Sequence, residues 1–355
     1  DAERRAARAA SERVGRRSYH RALAAGTDRL FEPRRDTCPV CGGPDLAVHV
    51  ALGDLYQGKP GRFTLERCAG CGLVFQNPMV TAEGLDLYYR DFYDGVGEEQ
   101  TELAFTSQRT FYANRIAMVA ARHEPRRWLD VGAGHGHFCL AARGAWPKAT
   151  FDAVDLATSI EEAERRGWVD RGIRGLFPAM ADELAEAYDV VSMHHYLEHT
   201  RDPAAEIEAA RTVLEPGGLL LIEMPDPTSL AARALGRWWC AHLQPQHLHM
   251  PPIELLERML AARGFTVVDR HRAEAHQGGD LTGATYLAVN RLGPPVDVPW
   301  RPPSTTSQRA RRAAALVAAL PVLAVASAVD VALAALVPHG LPLSNAYRVL
   351  ARRDG

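Results

Sequence analysis

The sequence predicts an α/β fold built on a doubly wound, mostly parallel sheet, with a small cysteine-rich module in front of it. Between residues 125 and 272, short apolar runs alternate with segments whose apolar residues have helical spacing, which is typical of parallel strands joined by helices. A glycine-rich turn follows the first run, and two Cys-x-x-Cys pairs lie between residues 31 and 80. In such sheets, ligands bind beyond the carboxyl ends of the strands.

Five apolar runs are predicted to form strands of this sheet. They are Trp128–Val131, Phe151–Asp155, Asp189–Met193, Leu219–Glu223 and Phe265–Asp269. Asp202-Pro203 predicts a helix start, because an Asp side chain caps free backbone N–H groups and Pro is tolerated in the first helical turn. Pro252 predicts a second helix start, and Gly264 predicts where that helix ends.

The two cysteine pairs predict a closed metal site. Each pair presents two thiolates from one tight turn, and a glycine follows the second cysteine; the four residues are Cys38, Cys41, Cys68 and Cys71. Four thiolates are the tetrahedral ligand set of a structural zinc site, so we predict a zinc ribbon over residues 31–80. The segment between the pairs is predicted to form a hairpin with strands at Leu46–Val50 and Phe63–Glu66. Disulfides or a redox pair are the alternatives.

The glycine-rich turn predicts a cofactor loop. Glycines alternate at positions 132, 134 and 136, after a strand and before a helix, so that the backbone can approach a ligand closely. His137 stands where the dinucleotide fingerprint has glycine, which disfavours pyrophosphate binding. Asp155 ends the next predicted strand, where a carboxylate can accept hydrogen bonds from ribose hydroxyls. These residues together predict a nucleoside cofactor.

In this order the motifs resemble those of class I S-adenosylmethionine-dependent methyltransferases. The resemblance spans roughly residues 105–272 and is carried by Leu129–Gly136, Val154–Leu156, Tyr188–His199, Leu214–Ile222 and Arg263–Phe265. It implies a Rossmann-like, doubly wound sheet of seven strands and S-adenosyl-L-methionine as the cofactor. With the cysteine pairs in front, the domain order is similar to that of zinc-ribbon methyltransferases of natural-product pathways, including antibiotic-sugar C-methyltransferases. A small-molecule acceptor in secondary metabolism is therefore expected.

The resemblance also implies roles for single residues. It implies that residues of the glycine loop and of the neighbouring strand ends bind the cofactor. They are Asp130, Gly132, Ala133, Gly134, Gly136, Asp155, Leu156 and His194. Within this set, Asp130 would organise the loop, Asp155 would hold the ribose, Leu156 would lie on adenine, and His194 would lie beside the methionyl group. Many family members have an acid near the adenine amine, but Arg174–Pro178 contains none, so backbone groups together with Leu176 or Phe177 are expected to contact adenine. The family's antiparallel closing strand is predicted at Ala346–Ala351, with Thr285–Asn290 as the alternative.

Candidate general bases follow the predicted strand Asp189–Met193 and precede the last predicted helix of the sheet region. Methyl transfer is an in-line displacement at an activated sulfonium, so the protein aligns the reactants and, where needed, removes a proton. Tyr196, His199 and His247 are the predicted catalytic residues, since an unperturbed histidine titrates near neutral pH. Ordering of the loop is the alternative role for Glu198 and His199.

The predicted organisation has six segments. They are an Arg-rich arm (1–30), the zinc ribbon (31–80), a helical lid or connector (81–124), the cofactor-binding core (125–272), a linker with an apolar helical insert (273–345), and a final strand and tail (346–355). In the connector, Leu85, Tyr88, Tyr89 and Phe92 share one helix face after Thr81. In the insert, Ala313–Val337 is long enough to span a bilayer, but Pro321 and Asp330 favour packed helices. An interfacial helix and a true span are the alternatives.

The charge balance bears on partners. The chain has 41 basic and 43 acidic residues, a net charge of −2, and residues 31–80 carry no basic stripe, so nucleic-acid binding is not expected. No apolar run follows the N-terminal arginines, which disfavours a secretory signal and predicts a cytoplasmic location. The alternative functions are an inactive methyltransferase fold acting as a binding or scaffold protein, an RNA or protein methyltransferase, and a nicotinamide-dependent oxidoreductase. The oligomeric state is not predicted.

Overall fold

A computed structural model describes residues 15–90, 109–272, 279–336 and 344–355. The chain divides into two compact units, each built from three segments. Unit 1 comprises Asp1–Gly95, Ala231–Leu248 and Gly278–Ala335, and unit 2 comprises Val96–Leu230, His249–Gln277 and Leu336–Gly355. Some sequence predictions lie outside the described residues: the first part of the arm (1–14), part of the lid (91–108, with Phe92), and Val337.

Strands and helices alternate through most of the described chain. The strands are β1 (Leu46–Leu52), β2 (Phe63–Cys68), β3 (Val74–Gln76), β4 (Arg127–Val131), β5 (Thr150–Asp155), β6 (Arg171–Arg174), β7 (Tyr188–His194), β8 (Leu214–Pro225), β9 (His249–Met250), β10 (Phe265–His271) and β11 (Ala346–Arg353). The helices are α1 (Ala82–Tyr89), α2 (Arg109–Ala120), α3 (His137–Ala145), α4 (Ser159–Arg165), α5 (Phe177–Met180), α6 (Pro203–Val213), α7 (Leu230–Leu235), α8 (Ile253–Ala261), α9 (Asp280–Leu292) and α10 (Thr306–Leu336). Residues 15–23 are also helical.

Unit 1 contains the predicted hairpin between the two cysteine pairs. β1 and β2 are antiparallel, with Leu46 opposite Cys68 and Leu52 opposite Phe63, and β3 continues the sheet beside β2. Phe63 lies in a buried cluster with Tyr19 and Tyr88. α1 begins where its sequence predicts, because the Thr81 side chain accepts a hydrogen bond from the backbone of the first turn.

Unit 2 contains a mixed sheet of seven strands in the order β10-β11-β8-β7-β4-β5-β6. The five predicted runs fall in β4, β5, β7, β8 and β10, which confirms the fold class. β11 is antiparallel to both of its neighbours, and it pairs from Ala346 opposite Pro225 to Arg352 opposite Leu219. The closing strand therefore lies where Ala346–Ala351 was predicted to form it, and the alternative at Thr285–Asn290 is helical, within α9.

The sheet of unit 2 places one loop at its topological switch point. β4 pairs in parallel with both β5 and β7, so the chain order reverses on either side of β4. Apolar side chains from the strands and from α3 form a buried cluster that includes Trp128, Phe138, Phe151, Val190 and Leu350. Because this core fixes β4 firmly, the glycine-rich loop after it lies at the position where open α/β sheets bind ligands.

The apolar insert forms one continuous helix, α10, which runs through Pro321. Among the described residues, it is the one helix long and apolar enough to cross a membrane by length and composition. Only 17% of its most apolar 18-residue window is buried. The prediction of packed helices is therefore wrong for most of this segment, because composition alone does not reveal how little of the helix the rest of the chain covers.

Candidate functional site

The loop after β4 has a backbone that only glycine adopts easily. Gly132, Gly134 and Gly136 have φ angles of +72°, +57° and +72°. A Cβ atom at position 132 would lie 2.4 Å from the ring of Tyr196, and one at position 136 would lie 3.1 Å from Ala163. A Cβ atom at position 134 would meet nothing within 4 Å. The loop is thus packed against protein at its two ends and borders open space in the middle.

Asp155, at the carboxyl end of β5, holds the middle of this loop. Its Oδ2 atom accepts a hydrogen bond of 2.8 Å from the backbone N–H of Gly134, and its Oδ1 atom accepts one of 2.8 Å from Ala157. The Ser159 hydroxyl donates to the carbonyl of Gly134 at 2.9 Å. A carboxylate has about four acceptor sites, so Asp155 keeps capacity for ribose hydroxyls while it orders the loop.

Apolar side chains follow Asp155 in the sequence and also follow the end of the neighbouring strand β6. Leu156 is 61% exposed and Leu176 is 60% exposed, so both present an apolar surface to solvent. Phe177 is 1% exposed and belongs to the protein interior. Of the two residues expected to contact adenine, Leu176 is therefore the accessible one, and a contact from Phe177 stays a prediction.

Asp130 lies beneath the loop in a buried chain of hydrogen bonds. The indole of Trp128 donates to the Ser192 hydroxyl at 2.7 Å, and that hydroxyl donates to Asp130 at 2.6 Å. Burial raises the pKa of Asp130 to about 7, against the opposing effect of the Ser192 hydrogen bond. Asp130 thus joins β4 to β7, which fixes the strand from which the loop departs. Next along the chain, the loop residues Gly132 and Ala133 donate backbone hydrogen bonds to Val154 at 2.8 and 3.3 Å.

His194 ends β7 with an imidazole that has no polar partner among the described residues. Both ring nitrogens are buried and make no hydrogen bond there. The ring lies edge-on to Phe138, with centroids 4.5 Å apart. Burial, assisted by the charge of Arg115, holds the pKa of His194 well below its ordinary value, so the ring is neutral near pH 7. Buried polar groups are nearly always paired, so this imidazole is suited to a ligand.

The residues around the loop fit S-adenosylmethionine. Open space lies at Gly134, an ordered carboxylate ends β5, apolar side chains are exposed at positions 156 and 176, and His194 offers a neutral donor and acceptor. The neutral imidazole matters because a cationic sulfonium would be repelled by a protonated histidine.

Comparison with known proteins agrees with this geometry, since residues 105–270 match a family model described as "Methyltransferase domain". The chain carries a class I S-adenosylmethionine-dependent methyltransferase domain. It is similar to a ubiquinone biosynthesis O-methyltransferase of Xanthomonas axonopodis pv. citri, with 33% identity over 38% of this chain and 59% of that protein. It is also similar to a malonyl-[acyl-carrier protein] O-methyltransferase of Halalkalibacterium halodurans, with 30% identity over 41% of this chain and 58% of that protein. The chain spans about three-fifths of the length of these two relatives.

A third similarity covers more of the chain. A hybrid PKS-NRPS synthetase of Penicillium oxalicum is 26% identical over 66% of this chain, which corresponds to 6% of that much larger protein.

The methyltransferase domain also holds a buried charge cluster that sequence reasoning missed. His195, with φ +51°, places Nε2 2.9 Å from Glu223 and Nδ1 3.1 Å from Glu198. Glu223 also accepts hydrogen bonds from Arg115 and Arg348. Burial alone would lower the pKa of His195, but the two carboxylates raise it above its ordinary value.

The cluster brings opposite charges into contact. Burial would raise the pKa of Glu223, but the two arginines and His195 hold it well below its ordinary value. Arg348 lies directly opposite Glu223 in the pairing of β11 with β8. The one signal in the sequence was an acidic residue at the end of the apolar run Leu219–Glu223, and its partners are too far apart along the chain to be recognised from spacing.

Tyr196, a predicted catalytic residue, is held by the domain as a hydrogen-bond donor. Its hydroxyl donates to Glu206 at 2.9 Å, and its ring covers Gly132. Burial and the neighbouring carboxylate both raise the pKa of Tyr196. Burial also raises the pKa of Glu206 to about 7, although the hydrogen bond from Tyr196 lowers it. This geometry favours positioning of the glycine loop, and a catalytic role for Tyr196 stays a prediction.

The two histidine candidates belong to different units. His199 ends a short 3-10 turn, Leu197–His199, in unit 2, and its backbone N–H donates to the carbonyl of Tyr196 at 3.0 Å. His247 lies in unit 1, where its Nδ1 atom is 2.6 Å from the carbonyl of Ala241. A carbonyl only accepts, so Nδ1 carries a proton in this contact. Neither assignment as a base is tested by these contacts.

Unit 1 brings the four predicted cysteine ligands together. The Sγ atoms lie within 4.8 Å of one another, with Cys38 3.6 Å from Cys71 and Cys41 3.5 Å from Cys68. Zinc–sulfur bonds of about 2.3 Å in a tetrahedron would set the sulfurs about 3.8 Å apart. All six cysteines lie in the described residues and none forms a disulfide. The group can therefore hold a metal ion.

The backbone of the turns supports this ligand set. Gly42 and Gly72 donate to the carbonyls of Cys38 and Cys68 at 3.0 and 2.9 Å, and both glycines have positive φ angles. A hydrogen bond from the backbone of Gly43 is the main cause that lowers the pKa of Cys41 to about 7. A thiolate is the form of cysteine that binds metals, so this contact favours the ligating state at Cys41, whereas burial raises the pKa of Cys38 and Cys71.

Proposed function

We propose that this protein is an enzyme that transfers a methyl group from S-adenosylmethionine to a small-molecule acceptor in secondary metabolism. The observation that carries the proposal is the loop after β4, where Asp155 binds the backbone of Gly134 next to open space, together with the buried, unpaired imidazole of His194 at the end of the neighbouring strand β7. Two of the similar proteins are named as O-methyltransferases, and a third is a PKS-NRPS synthetase. An oxygen acceptor is accordingly the first to test.

In this proposal each residue acts on binding or alignment. When bound, the cofactor supplies a methyl group already activated on a sulfonium. Asp155 accepts hydrogen bonds from the ribose, Leu156 and Leu176 lie against adenine, and the backbone of Gly132–Gly136 allows close approach. His194 stays neutral beside the sulfonium. Alignment of reactants is the main contribution that a protein makes to such a displacement.

We assign removal of the acceptor's proton to a histidine, with His199 and His247 as the two candidates. Tyr196 is given a positioning role, because its hydroxyl is already the donor to Glu206. His199→Ala and His247→Ala are each expected to retain cofactor binding, and the variant that lacks the base is expected to lose about a hundredfold or more in kcat. Normal turnover in one variant removes that histidine as the base.

The cysteine cluster is proposed to bind one structural zinc ion. With four protein thiolates the metal would have no open position, so the proposal gives zinc no part in the reaction. None of the cysteines forms a disulfide, which agrees with a reducing compartment, and we therefore place the enzyme in the cytoplasm.

The test measures binding of S-adenosylhomocysteine to the full chain by calorimetry. Wild type should bind, Asp155→Ala should bind at least about tenfold more weakly, and Asp182→Ala, which changes an exposed acid of the same unit, should bind like wild type. Wild type is then assayed for methyl transfer to hydroxyl and carboxyl acceptors. Absence of binding to wild type refutes the proposal and favours a scaffold role, and salt-sensitive RNA binding with RNA methylation favours the nucleic-acid alternative.

A further inference from the structure

The apolar helix α10 of unit 1 presents an unusual surface to solvent. Its side chains with the greatest exposure include Val317 at 66%, Leu320 at 61%, Val325 at 65% and Val331 at 66%. Residues 313–336 form 24 consecutive positions with one charged side chain, and they extend about 36 Å at the rise of an α-helix. An apolar surface of this extent on a folded chain usually marks an interaction site.

The single charged residue of this stretch points toward the protein. Asp330 is 6% exposed, and its carboxylate accepts hydrogen bonds from the backbone N–H groups of Leu281 and Thr282 at 3.0 and 2.8 Å and from the Thr282 hydroxyl at 2.8 Å. It thereby caps the start of α9. Asp330 shares a narrow buried stripe with Ala319 and Ala326, and the exposed faces of α10 carry no charge between positions 313 and 336.

Contacts along its length hold α10 against the body of unit 1. Near its start, Arg312 donates to the side chain of Asn290 at 2.7 Å, and Asp330 contacts the other end of α9. α9 is itself anchored, because Asn290 donates to the carbonyl of Leu55 at 2.7 Å and the indole of Trp239 donates to Asp280 at 2.9 Å. A helix that crossed a bilayer would draw α9 and its anchors in with it. If α10 instead lies in the plane of the bilayer surface, the hydrogen bonds that hold α10 and α9 can remain intact.

Basic side chains gather at the start of the same helix. Arg309 pairs with Asp297 through two hydrogen bonds of 2.9 Å. Arg311 donates to a backbone oxygen, and Arg312 donates to a backbone and an amide oxygen. Within the described part of the chain, neither of them has a carboxylate partner, and the same holds for Arg291 at the end of α9. Guanidinium groups are well suited to phosphate, so this end of α10 is complementary to anionic lipid headgroups.

We propose that α10 binds the protein in the plane of an anionic lipid bilayer, with its exposed apolar faces in the acyl boundary and the arginines at the headgroups. A second copy of the chain is the competing occupant. A helix from a second copy would cover only one stripe of α10. The exposed apolar residues lie on several sides of the helix, at positions 316, 317, 320, 322 and 325. A fluid hydrocarbon layer covers such a broad surface, and amphipathic helices with basic residues bind membranes in this way.

The test is flotation of the full chain with vesicles of phosphatidylcholine alone or with added phosphatidylglycerol. Wild type should float with the anionic vesicles. Val317→Glu and Val325→Glu should each reduce the partition coefficient about tenfold, whereas Val325→Leu, which keeps the position apolar, should bind like wild type. Arg311→Gln should weaken binding to the anionic vesicles about fivefold and leave the small binding to phosphatidylcholine unchanged.

Two results would overturn the proposal. One is a wild-type chain that does not float, and the other is a glutamate variant that floats like wild type. A dimer in light scattering that Val325→Glu dissociates, without vesicle binding by wild type, assigns the surface to a second copy instead. Thermal unfolding, measured on the same samples, shows that each variant is folded, and this control does not depend on the proposed enzymatic function.

Discussion

Gly134→Ala tests whether the cofactor occupies the open space at the middle of the glycine loop. The substitution places a Cβ atom at φ +57°, where an L-residue costs roughly 1–2 kcal/mol of backbone strain. No protein atom lies within 4 Å of that Cβ, so no packing cost is added inside the protein. The expected loss of unfolding free energy is therefore about 1–2 kcal/mol, while the methyl group enters the space proposed for the cofactor.

The matched control is Gly167→Ala. Gly167 has φ +70° and also has nothing within 4 Å of a built Cβ, but it lies in the turn between α4 and β6. Both variants should show the same modest fall in Tm by calorimetry. Only Gly134→Ala should weaken the binding of S-adenosylhomocysteine, by about tenfold or more, which corresponds to at least about 1.4 kcal/mol of binding free energy.

A third behaviour is expected at the first glycine of the loop. In Gly132→Ala the Cβ atom would be 2.4 Å from the ring of Tyr196, so the loss of stability should exceed that of Gly134→Ala. If Gly134→Ala binds the ligand as tightly as Gly167→Ala does, the cofactor does not approach this part of the loop and the proposed site is wrong.

Three further outcomes are expected from residues elsewhere in the two units. Cys38→Ser should lose most of the bound zinc by elemental analysis and lower the Tm, and unchanged metal content would contradict the cluster. Glu223→Gln removes the carboxylate that Arg115 and Arg348 share, so chemical denaturation should show a loss of about 3–5 kcal/mol; a loss below about 1 kcal/mol would mean that the cluster adapts. Burial raises the pKa of Glu206 from 4.5 to about 7, so between these pH values the folded state keeps a proton that the unfolded state releases. The contribution of Glu206 to the unfolding free energy therefore falls as the pH rises from about 4.5 to about 7. Relative to wild type, Glu206→Gln should gain stability on the order of 3 kcal/mol between about pH 4 and pH 8, and pH-independent differences would refute this assignment.

Features that depend on local spacing were predictable from the sequence. The cysteine turns, the glycine loop and the strand that ends at Asp155 each occupy a short stretch, and backbone sterics and ligand chemistry restrict which residues such a stretch accepts. The closing strand at Ala346–Ala351 was placed through the family resemblance, which supplied the expectation of one more antiparallel strand. A helical segment at Thr285–Asn290 was ambiguous, because short apolar runs fit a helix and a strand equally well.

Features that depend on distant partners were not predictable. The cluster around Glu223 draws one residue each from α2, the end of β7 and β11, and no spacing rule connects them. Asp330 was counted against a membrane role because its partner at the start of α9 could not be seen. Phe177 and Leu176 adjoin in sequence, and only the structure distinguishes the buried side chain from the exposed one.

The position of β11 has a consequence for how the protein is made. The strand is contributed by residues 346–353, close to the end of the sequence, yet it is inserted between β8 and β10. During translation, the sheet therefore cannot close until β11 has left the ribosome, long after β8 and β10. Before that moment β8 has an unpaired edge, β10 lacks the strand that it pairs with, and Glu223 is without the compensating charge of Arg348. A nascent chain in this state is expected to need a chaperone, and a variant truncated before Ala346 is expected to aggregate.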